Sequence, residues 1–202
     1  MIKIAFFEAK LFNPLLTKIE MCKECETKPV YEFTNKIKLC KGCFIHWFNK
    51  KFLYTLRKFG MIENGDVLCF ANKHTFREAV LEELLKGFEK SSSCKVIING
   101  KCNKLVVSNS LDIETRKIVD SLFEGKGFSV NFSPVIKGSK IVIKPLYLFL
   151  DKEIMLYAKL KNLKFKETKE DLNQFELLIE DLEKKHPEIK QAIIQSYLKI
   201  KD

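Results

Sequence analysis

No apolar run in these 202 residues approaches the roughly 18–20 that a membrane span requires, so no membrane partner is expected. The opening Ile2-Lys-Ile-Ala-Phe-Phe7 is interrupted by Glu8 and Lys10, and no small-residue cleavage site follows. Met1–Glu20 therefore reads as a docking extension or a misassigned start rather than a secretory leader. There is no internal repeat, and the one low-complexity tract, Ser91-Ser-Ser93, reads as a loop. Acid is missing from a whole segment. Between Glu32 and Glu63 no Asp or Glu occurs, while Lys36, Lys38, Lys41, Lys50, Lys51, Arg57 and Lys58 all do. This segment is the positive end of a chain with net charge +10 and pI near 9.2. Such a balance points to an anionic partner, nucleic acid first, although a thermophilic or low-GC source produces a similar composition.

What is there begins with cysteine. Cys22-Lys-Glu-Cys25 and Cys40-Lys-Gly-Cys43 form two CxxC knuckles separated by fourteen residues. Each knuckle aims two thiolates at one point, and four thiolates close a tetrahedral shell with no position left for water, which suits a structural zinc ion. The alternatives are two reduced, unliganded thiol pairs or a redox CxxC, although a redox motif needs only one pair. The other three of the seven cysteines, Cys69, Cys94 and Cys102, stand isolated, a usage that fits a reducing cytoplasm better than a disulfide-stapled secreted protein.

At 46% hydrophobic residues the chain can bury a real core, expected as one α/β domain plus a small metal module. The expected divisions are an extension over 1–20, a zinc ribbon with a basic helix over 21–62, the α/β domain over 63–150 and a helical region over 151–202. From Phe44 to Phe59 a 3.6-residue period aligns Phe44, Phe48, Phe52, Leu56 and Phe59 on an inward stripe. The opposite arc carries Lys50, Lys51, Tyr54, Arg57 and Lys58, with Trp47 beside it. Cations neutralise phosphates and flat rings stack on unpaired bases, so the arc suits RNA; the alternative is a solvated charged face with Trp47 packed on the zinc loops.

Beyond Gly60, strands are predicted at Val67–Phe70, Lys95–Ile98 and Lys104–Val107, with weaker ones at Phe128–Phe132 and Lys140–Ile143. Helices are predicted at Thr75–Glu89, Leu111–Phe123, Asp151–Leu160 capped by Asp151, Asp171–Lys185 and Glu188–Ile200. Apolar strands alternating with helices argue for a parallel sheet covered on both faces.

Four stretches, in order, resemble the ATP-dependent tRNA 2-thiouridine synthetases of archaea and eukaryotes. They are the cysteine knuckles through Gly65-Asp-Val-Leu68; Ser108-Asn-Ser-Leu-Asp-Ile-Glu-Thr115, at the place of a GHNLDDEA-like segment; Ile143-Lys-Pro-Leu146 with Lys152-Glu153 and Tyr157-Ala158; and Glu180–Pro187 with Ser196-Tyr197. The resemblance implies an N-terminal four-cysteine zinc ribbon and a reduced, adenine-nucleotide-hydrolase-like (PP-loop type) parallel sheet flanked by helices, followed by a helical tail.

Departures from that pattern bear on function. Where the family has an SGGKDS-type pyrophosphate loop, this chain reads Phe70-Ala71-Asn72-Lys73-His74-Thr75-Phe76. Lys73 and Thr75 can be laid on the motif, but both glycines are gone, and a Cβ obstructs close backbone approach to phosphate. Asn72, Lys73, His74 and Thr75 thus read as a degenerate nucleotide loop or an ordinary polar turn. Asp112 and Glu114 persist in the acidic segment, but Ile113 and Asn109 stand at the positions of its second Asp and its His. The active-site cysteine pair implied by the resemblance is missing, so neither ATP nor an iron–sulfur cluster is expected.

The pattern resembles a degenerate, non-catalytic paralogue, a pseudoenzyme subunit of a tRNA 2-thiolation complex. The implied partners are tRNA and a catalytic thiouridine synthetase paralogue, with a ubiquitin-like sulfur carrier as a further candidate. Two alternatives stay open. One is a divergent ATP-dependent tRNA sulfurtransferase using Lys73, Thr75 and Cys94 or Cys102; the other is a zinc-ribbon RNA-binding adaptor unrelated to thiolation.

Overall fold

A computed structural model describes residues 21–125, 134–138, 140–166 and 174–201. The expected extension over 1–20 and the weak strand at Phe128–Phe132 lie outside the described residues, as does the start of the helix expected from Asp171. In chain order the elements are β1 (Tyr31–Glu32), β2 (Lys38–Leu39), α1 (Lys41–Lys58), β3 (Val67–Phe70), α2 (Phe76–Glu89), β4 (Lys95–Ile98) and β5 (Lys104–Val106). They continue with α3 (Leu111–Phe123), β6 (Val135–Lys137), β7 (Lys140–Ile143), α4 (Asp151–Leu160), α5 (Gln174–Lys185) and α6 (Ile189–Lys201). None of the described helices is long and apolar enough to cross a membrane.

β1 and β2 form an antiparallel ribbon, and the other five strands form one sheet in the order β4-β3-β5-β7-β6. Pairing is parallel except at the edge, where β6 runs antiparallel to β7 with Ile136 opposite Ile141. That edge strand was not expected from the sequence. Three residues turning back through Gly138, at φ +61°, form a hairpin whose apolar pattern is too short to be read alone.

β4 and β5 lie on opposite sides of β3, joined by only residues 99–103. Parallel strands are ordinarily joined by a dozen or more residues, usually through a helix. Here the short link turns at Asn99, with φ 55°, and the Asn99 and Asn103 amides donate to the Phe70 and Val67 carbonyls at the two ends of β3. Cys102 on this link is joined to Cys69 by a disulfide with Cα atoms 5.5 Å apart. Two of the three cysteines expected to stand isolated are therefore paired, because the crossover carries one over the other.

A continuous buried cluster runs from the ribbon (Cys22, Leu39, Cys40) through the inner stripe of α1 to the sheet and α4. Phe44, Phe48, Phe52 and Leu56 are buried as the helical period predicts, whereas Phe59, at the helix end, is half-buried. Phe48 places its ring centroid 4.3 Å from those of both Phe149 and Tyr157. Rings this large dominate the packing of the surfaces they share, so α1 is fixed to the sheet domain through α4. The Asp151 cap is corrected. Leu150 is the N-cap residue and its amide donates to Glu153, while the Asp151 carboxylate accepts from Arg77 on α2.

Candidate functional site

The first CxxC is a loop knuckle. Glu26, at φ 58°, turns the chain so that the Cys22 amide donates to the Thr27 carbonyl and the Glu26 amide to the Cys22 carbonyl. The second is the first turn of a helix, with Cys40 as N-cap of α1 and Cys43 three residues on. The positive end of the helix favours negative sulfur at this point, and no acidic side chain in the first turn competes for it. The Cys25 Sγ lies 3.3 Å from Cys40 and 3.5 Å from Cys43, and all four Sγ atoms fall within 4.8 Å of one another. A tetrahedral ion with metal–sulfur bonds of about 2.3 Å would space its ligands by roughly 3.8 Å, so the donor set fits a single divalent ion of the zinc type. Hydrogen bonds from Thr27, the Cys43 amide and Cys25 hold the Cys40 thiol down at about 6, while Cys25, burial and the other sulfurs push Cys43 up. Four thiolates so close repel one another, and a central cation removes the repulsion. It is the one group of this kind among the described residues.

On the outer face of α1, Lys50, Tyr54, Arg57 and Lys58 are exposed, Tyr54 by 55%. Lys58 sits 5.6 Å from the Tyr54 ring centroid. Lys51, expected on the same arc, leans toward the sheet domain and keeps only about a quarter of its side chain exposed. Its ammonium pairs with buried Glu153 at 3.2 Å and lies 4.7 Å from the Trp47 ring and 4.5 Å from the Phe149 ring. Burial pulls its pKa down from the usual lysine value, against the pull of Glu153. A second stripe also lies in the sequence: His46, Lys50, Leu53 and Arg57 follow the helical period and line one groove with residues of the β1–β2 ribbon.

The strand-to-helix turn after β3 is filled from within. Glu78, buried in the first turn of α2, accepts the Lys73 amide at 2.7 Å and the Thr75 amide at 3.2 Å with one carboxylate oxygen. His74, in the left-handed region at φ 64°, donates its amide to Asn72 Oδ1 at 2.8 Å, and Thr75 Oγ1 accepts from the Glu78 amide. The amides that would face a phosphate are thus engaged by side chains of this chain, Glu78 standing where an anion would sit. Lys73 itself is exposed. The sequence pattern reveals this arrangement only as a capping box, Thr75 followed three residues later by Glu78.

The acidic segment is neutralised internally. Glu114, fully buried, pairs with Lys144 at 2.7 Å and with Lys117 at 3.6 Å, and accepts from the Asn109 amide. Asp112 accepts the Asp151 amide at 2.7 Å and Lys190 of α6 at 2.5 Å, and Lys190 also reaches Glu183 at 2.5 Å. Burial and neighbouring Asp151 raise the Asp112 pKa despite Lys190. Of the cysteines proposed for sulfur transfer, Cys94 is buried with its thiol on the Glu63 carbonyl, and Cys102 is tied to Cys69.

No protein-family model matches the sequence, and no curated protein matches it. Among solved structures the chain is similar to the U34-tRNA thiolase NcsA from Methanococcus maripaludis with its 4Fe–4S cluster. The TM-score is 0.71 at 16% identity, over 89% of this chain and 86% of that one. That protein's cluster calls into question the expectation that this chain holds no iron–sulfur cluster. At such identity the likeness speaks for architecture: this chain has a PP-loop-like α/β fold behind a four-cysteine group.

Proposed function

We propose that this chain is a non-catalytic, tRNA-binding subunit of a complex that thiolates the wobble uridine, acting beside a catalytic paralogue of the same fold. The carrying observation is the Glu78 carboxylate on the Lys73 and Thr75 amides, which fills the turn where a nucleotide-binding relative needs open donors. The likeness to a U34-tRNA thiolase supports the link to tRNA thiolation. The exposed cations of α1 supply a surface for phosphates. In this reading Cys22, Cys25, Cys40 and Cys43 hold zinc, whose part is to tie the ribbon to the start of α1 and keep Lys50, Tyr54, Arg57 and Lys58 presented together.

Reconstitution tests the proposal. The purified chain should bind tRNA and a catalytic paralogue from its own cell extract, leave tRNA unthiolated alone, and raise thiolation when added to the paralogue. Thiolation by the chain alone, or no paralogue bound, would refute it. The likeness to a working thiolase favours one rival, a divergent enzyme holding ATP on Lys73 and Thr75. Calorimetric titration with ATP and magnesium decides between them: submillimolar binding abolished by Lys73→Ala supports the enzyme.

A further inference from the structure

Between α1 and the β1–β2 ribbon runs a groove of about 1050 Å³, above the upper end of the roughly 300–1,000 Å³ usual for small-ligand clefts. Phe33 and Ile37 line it from the ribbon side, and Trp47 and Tyr54 from the helix. Its aromatic part is held in place before any ligand arrives. Trp47 packs edge-on to Phe33 with centroids 4.7 Å apart, and Lys51 covers its ring at 4.7 Å. Lys50 and Arg57 stand exposed on the rim, with no acidic partner among the described residues.

We infer that this groove takes an unpaired nucleotide of RNA, its base against the aromatic floor and its phosphates on Lys50 and Arg57. The inference rests on the RNA-binding reading above and specifies which form of RNA the surface accepts. In a duplex the base faces are stacked on one another and only base edges, sugar and phosphate are exposed, so a duplex reaches the rim and not the floor. An unpaired base can leave the strand, stack on a flat ring and be read along its edge. His46 and Asn35, exposed on the helix and ribbon walls, supply donors and acceptors for such an edge. An acidic peptide would match the cations but leave the rigid rings without a flat partner, which is why RNA is preferred. Pre-packed rings also lower the ordering cost of binding.

Fluorescence anisotropy with the zinc-loaded full chain, using a labelled RNA stem-loop and a blunt duplex of the same stem, tests this. The stem-loop should bind more tightly. Tyr54→Ala should weaken it by about tenfold, the scale of one stacked base, while Tyr54→Phe retains it and neither variant changes duplex binding. Arg57→Ala should weaken both RNAs and flatten their salt dependence. An unchanged melting temperature and metal content would separate these losses from unfolding, as Tyr54 is 55% exposed. Equal affinity for both RNAs, or stem-loop binding indifferent to Tyr54→Ala, would overturn the groove while leaving tRNA binding and the subunit reading intact. Loss of paralogue capture with RNA binding unchanged in Tyr54→Ala would instead assign the groove to a protein and overturn it as well.

Discussion

Lys50 and Lys51 are neighbours in sequence with opposite duties. Lys51 is about a quarter exposed and bonded to Glu153, which is almost fully buried, so removing its ammonium strands a carboxylate. Lys51→Ala should cost about 2 kcal/mol, below the roughly 3–5 kcal/mol for a fully buried pair because solvent still screens part of it. Lys50→Ala should leave stability within about 0.5 kcal/mol and lower RNA affinity. Denaturant melts beside RNA titrations check both, and equal stability losses would show that the pairing with Glu153 is not what distinguishes them. Glu78 carries a second residue-level prediction. Glu78→Ala should destabilise by about 1–2 kcal/mol, since the Lys73 and Thr75 amides lose their acceptor, and should not by itself confer ATP binding. The same melts, with calorimetry in ATP and magnesium, read both parts.

Among the elements, α1 depends on the ribbon before it, because its first turn supplies two of the four sulfurs. Cys22→Ser or Cys40→Ser should release the metal, raise amide exchange along α1 and weaken RNA binding together, read by metal analysis and hydrogen exchange. Full metal content with unchanged protection would contradict this. α1 also shows what a sequence makes legible. Its stripe repeats over about four turns and is set by local period, so its burial could be read in advance. The inward turn of Lys51 could not, because Glu153 lies 102 residues away. The same distance problem hid the Arg77 partner of Asp151, 74 residues apart, and the Cys69–Cys102 link, 33 apart. The cysteine knuckles could be read because metal geometry is written in short spacing. The groove could not, because half its wall comes from the ribbon.

For the molecule as a whole, the joint between β3 and the crossover is electrostatic. Asp66, just before β3, accepts the Glu63 amide at 2.7 Å, Asn103 Nδ2 at 2.8 Å and Lys104 at 2.7 Å. Burial alone would raise its pKa, but these partners outweigh it and hold the folded value below the ordinary aspartate range. A depressed carboxyl adds stability that is present above the unfolded value and lost as pH falls through the folded one. Acid unfolding of the sheet should therefore steepen below about pH 4, and Asp66→Asn should flatten that limb of a pH–stability curve. An unaltered acid limb would remove Asp66 from the account. The Glu78-filled turn is doubly latched. Small residues placed at 71 and 72 would leave the carboxylate on the Lys73 and Thr75 amides, and loss of Glu78 alone leaves those donors unanswered. Opening this turn to a phosphate therefore takes coordinated changes in the loop and at Glu78, since either alone leaves the turn shut or lowers stability.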